Sequence, residues 1–234
     1  ESRPYIDLTL SALADFGVTA RWLDERRLAV PGGQHYRPCS YRVEGDYSQA
    51  AFPAVLGAVT GGVAITDLSE ETLQGDAAIL EILRRCGARF TRTGQGVVFE
   101  KAPLHGTDID LADCPDLGPI LMVLGLFCEN GLVLRQAQRL RLKESDRIAA
   151  MEEEIRRMGG RIESDEGTVR VYKSALHGAA LCAHNDHRVA MAMAVAALAA
   201  GVPVSIEGAG CVEKSWPEFW QVLQACLGAE VTLL

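Results

Sequence analysis

An acidic residue stands just ahead of an apolar helical run three times in this chain. The places are Asp46 (GDYSQAAFPAVLGAVTGG), Asp116 (CPDLGPILMVLGLFCENG) and Asp186 (NDHRVAMAMAVAALAAG). The two intervals are equal, about 70 residues each, and self-similarity at a fixed period means that one supersecondary unit is used repeatedly. A second landmark recurs with it, a helix ending in glycine and leading into a strand, at Gly17 (LADFGVTARW), Gly87 (LRRCGARFTR), Gly159 (IRRMGGRIES) and Gly228 (QACLGAEVTL). Glycine just past a helix supplies the left-handed cap that turns the chain into the next element. Between the landmarks lie short β-rich runs, VAITDL, GLVLRQ, GTVRVYK and VPVSIEG, so each unit reads as strand, helix, strand, helix, strand, strand. Such helices bury their apolar faces only against sheets, which makes the fold class α/β (α+β). Residues 41–234 hold three whole units, and residues 1–40 read as the trailing half of a fourth.

The chain opens on Glu1, inside an apparent element (ESRPYIDLTLSALADFG), and on that ground reads as a cut piece of something larger. Its net charge of −8 with no basic run gives a field that repels polyanions, so neither nucleic acid nor an anionic membrane is an expected partner. Val189 to Ile206 is uncharged enough to raise the question of a membrane span, but Gly201 and Pro203 break it; a buried helix followed by a strand fits better. Seven cysteines, scattered singly without a CxxC pair, suggest neither a disulfide framework nor zinc. Most are expected as buried thiols in a reducing cytosol.

The densest chemistry lies in RLRLKESDRIAAM. Ile148, Met151, Ile155 and Met158 recur at helical spacing, while Glu152 with Arg156 and Glu153 with Arg157 stand four apart, so a helix is expected to start near Ser145. Arg147 then falls in the first turn, where the helix dipole disfavours a cation by about 0.3–1 kcal/mol, and something negative should sit beside it. The arrangement recurs at NDHRVAMAMA, where Asp186 can cap a helix with Arg188 in its first turn. It recurs again at EKSWPEFW, where Ser215 and Glu218 suggest a capping box behind Lys214. For one such cation, solvation or a neighbouring carboxylate is the ordinary explanation. Three at equivalent places suggest that helix N-termini converge, if the units share an axis, into a site for phosphate or carboxylate built with Arg147, Arg188 and Lys214.

Glu144, Asp116 and His187 stand beside these helix starts as acid and base candidates. Asp116 serves equally well as a plain helix cap, and His187 as a histidine hydrogen-bonded within the fold. His35, His105, His177 and His184 lack such context and read as surface residues, and no metal-ligand spacing joins any of the five. GxGxxG and P-loop signatures are absent.

RLKESDRI, NDHRVAMAMAVAAL, VEGDYSQAAFPAVLGAVTGG and CVEKSWPEFW together resemble segments of the EPSP synthase family, the 3-phosphoshikimate 1-carboxyvinyltransferases. The resemblance starts at SRPYIDLTL and runs to the end of the chain. LKESDR separates it from the sister enolpyruvyl transferases that act on UDP-N-acetylglucosamine. It implies an inside-out α/β barrel of two similar domains with three βαβαββ units each. Residues 1–40 would then be a trailing half unit of the N-terminal domain, and residues 41–234 the three-repeat C-terminal domain.

The resemblance further implies a cytoplasmic transferase of chorismate and aromatic amino-acid biosynthesis. It would move the enolpyruvyl group of phosphoenolpyruvate to the 5-hydroxyl of shikimate 3-phosphate, release phosphate, and need no metal or organic cofactor. By motif, Asp116 would deprotonate that hydroxyl, Glu144 would exchange the proton at the methylene carbon, and His187 would support Glu144. Lys143 would bind the shikimate side, Arg147, Arg188 and Lys214 would hold phosphoenolpyruvate, and Ser2 and Tyr5 would meet the phosphate of shikimate 3-phosphate. Glyphosate would compete at the phosphoenolpyruvate subsite.

Two positions depart from the family pattern: Arg139, where a polar or acidic residue is usual, and Gln49, where a second serine is usual. The family's N-terminal half supplies a lysine, a glycine-containing loop and another arginine to the site. That half is therefore the expected partner, and the piece alone is expected to bind weakly without turnover. The rival from another class is a non-catalytic phosphometabolite-binding module. Glu144 separates the two, because plain anion binding has no use for a carboxylate among three cations.

Overall fold

The structure, a computed structural model, describes residues 3–94 and 96–232. The chain opens with α1 (Arg3–Asp15) and a short antiparallel pair, β1 (Arg21–Trp22) with β2 (Leu28–Ala29). The first repeat then supplies α2 (Tyr47–Thr60), β3 (Ala64–Thr66), α3 (Ala78–Arg85), β4 (Arg89–Thr93) and β5 (Gly96–Glu100). The second runs β6 (Asp108–Asp110), α4 (Gly118–Gly125), β7 (Leu132–Arg135), α5 (Arg147–Arg157), β8 (Arg161–Ser164), β9 (Thr168–Tyr172). The third contributes β10 (Ala179–Cys182), α6 (His187–Ala200), β11 (Val204–Glu207) and α7 (Phe219–Leu227).

Only the middle repeat shows the complete strand, helix, strand, helix, strand, strand order. Residues 41–45 form no strand; Gly45 instead donates its N–H to the Asp67 carbonyl and accepts from the Gln74 amide, so the segment is tied to loops. The third repeat has no closing strand pair among the described residues. In the second and third repeats the strands on either side of a helix pair in parallel, β6 with β7 and β10 with β11, as a helical crossover requires. The closing strands add antiparallel ladders, giving sheets ordered β3-β5-β4 and β6-β7-β9-β8.

The alternation of helices is also one of depth. α2, α4 and α6 pack on one another in the interior. All eight residues of α4 are buried, as is the run Val189 to Ala197 in α6. Their sequences are apolar on every side, which suits helices with no solvent face. α3 and α5 lie outside and are amphipathic, burying Ile79, Leu80, Ile82 and Leu83, and Ile148, Met151 and Ile155. The stretch from Val189 to Ile206 resolves into α6 and β11, and no helix among the described residues is long and apolar enough to cross a membrane. Of the cysteines, Cys86, Cys114 and Cys128 are buried, but Cys39 and Cys226 are exposed and Cys182 and Cys211 half-buried, so most are not core thiols as expected.

The helix-ending glycines adopt the left-handed conformation read from the sequence, with φ of 78° at Gly17, 87° at Gly87, 84° at Gly159 and 69° at Gly228. Three take part in a clasp that the sequence did not reveal. The carbonyl just before the glycine accepts an N–H from the segment leading into the next unit: Arg37 to Phe16 at 2.8 Å, His105 to Cys86 at 3.0 Å, His177 to Met158 at 2.9 Å. The side chain of that donor then lies over the glycine, so that a Cβ added at Gly87 would come within 2.8 Å of His105, and one at Gly159 within 2.8 Å of His177. Both imidazoles are exposed, as expected, yet they have a packing role.

Gly159→Ala is expected to cost more than the roughly 1–2 kcal/mol of a left-handed alanine, because His177 must also move. Gly62→Ala, at φ 75° with open space around it, should cost only the backbone part. Urea unfolding of both variants checks this, and adding His177→Ala should recover the excess in the first.

Candidate active site

The N-terminal ends of α2, α4, α5 and α6 meet at one place. Asp46 caps α2, its side chain accepting from Ser48 N and Gln49 N, and Asp186 caps α6, accepting from Arg188 N. The third member of the repeated set differs. Asp116 sits in the 3-10 turn Pro115–Leu117 ahead of α4 and makes no cap bond; its carboxylate faces cations instead. α5 begins one step later than expected: Asp146 caps it by accepting Ala149 N at 3.0 Å, while the Ser145 hydroxyl is spent on Asp186 at 3.0 Å.

Arg147 lies at the centre, its side chain 1% exposed. Nε reaches Asp186 Oδ2 at 2.8 Å, Nη1 reaches Asp116 Oδ1 at 3.0 Å, and Nη2 reaches Glu144 Oε2 at 2.6 Å. The negative partner demanded by a cation in a first helical turn is therefore three carboxylates of the protein itself. Around them, Lys143 Nζ lies 2.9 Å from Asp116 Oδ1, and Lys214 Nζ 2.8 Å from Glu144 Oε1. Arg188 bonds the Ser48 hydroxyl at 3.0 Å and approaches Asp116 Oδ2 at 3.4 Å. Lys214, with 59% of its side chain exposed, is the most open of the four cations.

Burial alone would raise the Asp116 carboxyl, yet Arg188, Lys143 and Arg147 together hold it below its ordinary range. The same contest at Glu144 is won by the Lys214 hydrogen bond and by Arg147, which bring it to about 2. Both carboxylates are thus ionised at neutral pH. His187 is buried, with Nδ1 unpartnered and 4.0 Å from Asp186 Oδ1. Burial and then Arg188 depress its pKa and keep the ring neutral, so the alternative of a hydrogen-bonded core histidine does not hold at Nδ1.

Tyr5 joins from α1. Its hydroxyl donates to Asp76 at 3.1 Å, and burial followed by Asp76 and Asp116 raises its pKa. Asp76 is itself buried, with Oδ1 unpartnered; burial and Asp116 push it up to about 6. Tyr5, Asp76, Asp116, Asp46, Ser48 and Gln74 line one cavity of about 450 Å³ beside the ion cluster. Asp76 escaped sequence reasoning because QGD sits in a loop with no periodic context. Ser2 lies outside the described residues.

Two sequence expectations are corrected. Ser215 and Glu218 form no capping box: Glu218 occupies the N-cap of α7 without a side-chain bond, and Ser215 Oγ is buried and unpartnered. His184 is no plain surface residue, since its Nε2 lies 2.8 Å from the buried Glu154, which also accepts Cys182 N at 3.0 Å. Glu153, Glu154 and His184 come within 4.8 Å of one another, but Arg157 already lies on both carboxylates, so a metal ion would have to displace it.

Comparison with known proteins bears on what this geometry serves. The family model described as EPSP synthase (3-phosphoshikimate 1-carboxyvinyltransferase) matches residues 1–223. The chain belongs to the EPSP synthase family. The 3-phosphoshikimate 1-carboxyvinyltransferase of Clostridium novyi is 39% identical over 222 residues, 94% of this chain and 51% of that protein. That of Clostridium acetobutylicum is 38% identical over 232 residues, 99% of this chain and 54% of that protein. The chain therefore spans about half the length of the curated relatives it matches. EPSP synthase from Acinetobacter baumannii superposes with a TM-score of 0.79 at 25% identity over 96% of this chain and 54% of that one. The enolpyruvyl transferase NikO from Streptomyces tendae, at 19% identity and a TM-score of 0.76, shares the fold. The architecture is thus that of the enolpyruvyl transferases, as the resemblance implied.

Replacing Arg147 by methionine leaves Asp186 buried without its partner, and should cost about 3–5 kcal/mol in denaturant unfolding. Asp76 gives a pH signature of opposite sign to a salt-bridged carboxylate. Its folded pKa of about 6 exceeds the ordinary value of 3.8, so its contribution favours folding at low pH and fades as pH rises through 6. Asp76→Asn should therefore gain stability over the parent above pH 6, by up to about 3 kcal/mol, and lose that advantage below pH 4. Thermal unfolding at pH 4 and pH 8 measures it.

Proposed function

We propose that the chain works as the C-terminal portion of an EPSP synthase, in the cytoplasm and together with an N-terminal half. It would transfer the enolpyruvyl group of phosphoenolpyruvate to the 5-hydroxyl of shikimate 3-phosphate. The observation that carries this reading is Glu144, a carboxylate held between Arg147 and Lys214 at a junction of helix N-termini. A module that merely bound phosphate would gain nothing from a carboxylate there.

In this reading Asp116 accepts the hydroxyl proton as the oxygen attacks C2 of phosphoenolpyruvate, while C3 takes a proton from Glu144. The tetrahedral intermediate then returns the C3 proton to Glu144 and expels phosphate. Glu144 at about 2 is too acidic to carry a proton at neutral pH. An incoming anion that takes Lys214 and Arg147 for itself strips Glu144 of its cations, raises its affinity for a proton, and arms it as the acid. Lys214, mostly exposed, can meet such an anion with a small movement, whereas Arg188 must turn from Ser48 and Asp116 and Arg147 must share its guanidinium with the carboxylates. Neutral His187 supports Glu144 from the buried side, Lys143 serves the shikimate ring beside Asp116, and Ser2 and Tyr5 receive the phosphate of shikimate 3-phosphate. The division into residues 1–40 and 41–234 belongs to the same reading, with the hinge between the two halves of the enzyme lying near residue 40.

Phosphate release from phosphoenolpyruvate and shikimate 3-phosphate, by the chain mixed with the separately produced N-terminal half, tests the proposal. Turnover only in the mixture is expected, and its absence from a folded, associated mixture would favour the binding-module reading. Glu144→Gln should then lower turnover by about 10²–10⁴-fold with shikimate 3-phosphate affinity nearly unchanged.

A further inference from the structure

The first turn of α2 makes a contact that neither the repeats nor the reaction explains. Gln49 Nε2 donates to the Ser215 carbonyl at 2.5 Å, joining residues 166 positions apart. Ser215 follows Lys214, the last residue of the 3-10 turn Ala209–Lys214. The start of that turn is held by Trp220, whose Nε1 donates to the Ala209 carbonyl at 3.2 Å. Its end closes on itself through Ser215 N and Trp216 N to the Val212 carbonyl. The Ser215 hydroxyl, buried and unpartnered, adds no anchor there. Among the described residues, Gln49 thus hydrogen-bonds the backbone at the Lys214 end of the turn to the start of α2.

The Gln49 end of this tether is fixed. The Gln49 backbone is held in the cap of α2 by Asp46, and its neighbour Ser48 receives the Arg188 guanidinium at its hydroxyl. Consecutive residues of one helical turn therefore hold Arg188 directly and the Lys214 turn through its backbone. Lys214 itself is mostly solvent-exposed, so a long flexible side chain keeps its place over Glu144 only if its own backbone stays put. A serine at position 49, the residue usual in the resembling motif, has a hydroxyl one bond from Cβ and is too short to repeat the span that the glutamine amide makes.

We propose that Gln49 is a positioning residue that sets where Lys214 stands over Glu144, and through Lys214 the hold on the anionic end of phosphoenolpyruvate. This rests on the proposed function for its second half only; the first half concerns an ion pair present in the free chain. Gln49→Met keeps the side-chain length and removes the donor, leaving the α2 cap intact.

The first measurement is competitive acetylation of the 234-residue chain with acetic anhydride, read by mass spectrometry. Lys173, paired with Glu129 far from the site, serves as internal reference. Lys214 should react at least about threefold faster in Gln49→Met than in the parent, matching Glu144→Gln, because an amine no longer held against its carboxylate is open to the reagent. An unchanged Lys214 rate in Gln49→Met, with a raised rate in Glu144→Gln, overturns the proposal.

The second is kinetic, in the reconstituted mixture. Gln49→Met should raise KM for phosphoenolpyruvate by about three- to tenfold with kcat within about twofold, and the double variant with Lys214→Met should be no worse than Lys214→Met alone. Additive effects would overturn the coupling to Lys214. A parent mixture that does not turn over would overturn the enzymatic reading, and the acetylation result would still decide the tether.

Discussion

The buried guanidinium of Arg147 organises this molecule. Desolvating one cation and the wholly buried Asp186 is costly, and mutual attraction recovers that cost only when geometry is good and the remaining N–H groups are bonded. Here the planar fork reaches carboxylates from two repeats, Asp116 and Glu144 in the second and Asp186 in the third. A single side chain thereby fixes how the start of α5 meets the starts of α4 and α6. The other cations find their places around the carboxylates so arranged, Lys143 and Arg188 on Asp116 and Lys214 on Glu144.

A charge cluster of this kind keeps one net positive charge at rest and is close to a change of partners. Four cations and three carboxylates share short contacts, and the more open members, Lys214 and Glu144, lie at its edge. The inner members serve rigidity and the outer ones exchange. Neutral His187 sits behind them and adds no further charge to a place already dense with it.

Much of the architecture was legible in the sequence, and for identifiable reasons. Left-handed glycines, all-apolar inner helices and amphipathic outer ones are local properties that periodicity reports directly. The carbonyl clasps and the pairing of His184 with Glu154 were not legible, since they join segments whose proximity only folding creates. Capping chemistry was read half correctly. Asp46 and Asp186 behave as the pattern suggests, but Asp146 displaces Ser145, and Ser215 is drawn into a turn rather than a cap. A sequence names the residues able to cap a helix; competing long-range contacts decide which does. The cations of the ion cluster could be picked out because cations near helix starts are locally unfavourable and recur, while Asp76, in a short 3-10 turn without rhythm, carried no such signal.

The clasps at Gly17, Gly87 and Gly159 bear on how such a chain can change over time. Each lies within one unit and its exit segment, and the one at Gly159 closes the end of α5 remote from the start that carries Arg147 into the ion cluster. Fastening and chemistry are thus carried by opposite ends of the same building block. A duplicated unit inherits its fastening whole, and the residues at its other end are released to diverge. Asp46, Asp116 and Asp186, at equivalent places in three units, display the outcome: Asp46 caps a helix, Asp186 caps one while also meeting Arg147, and Asp116 faces cations without capping.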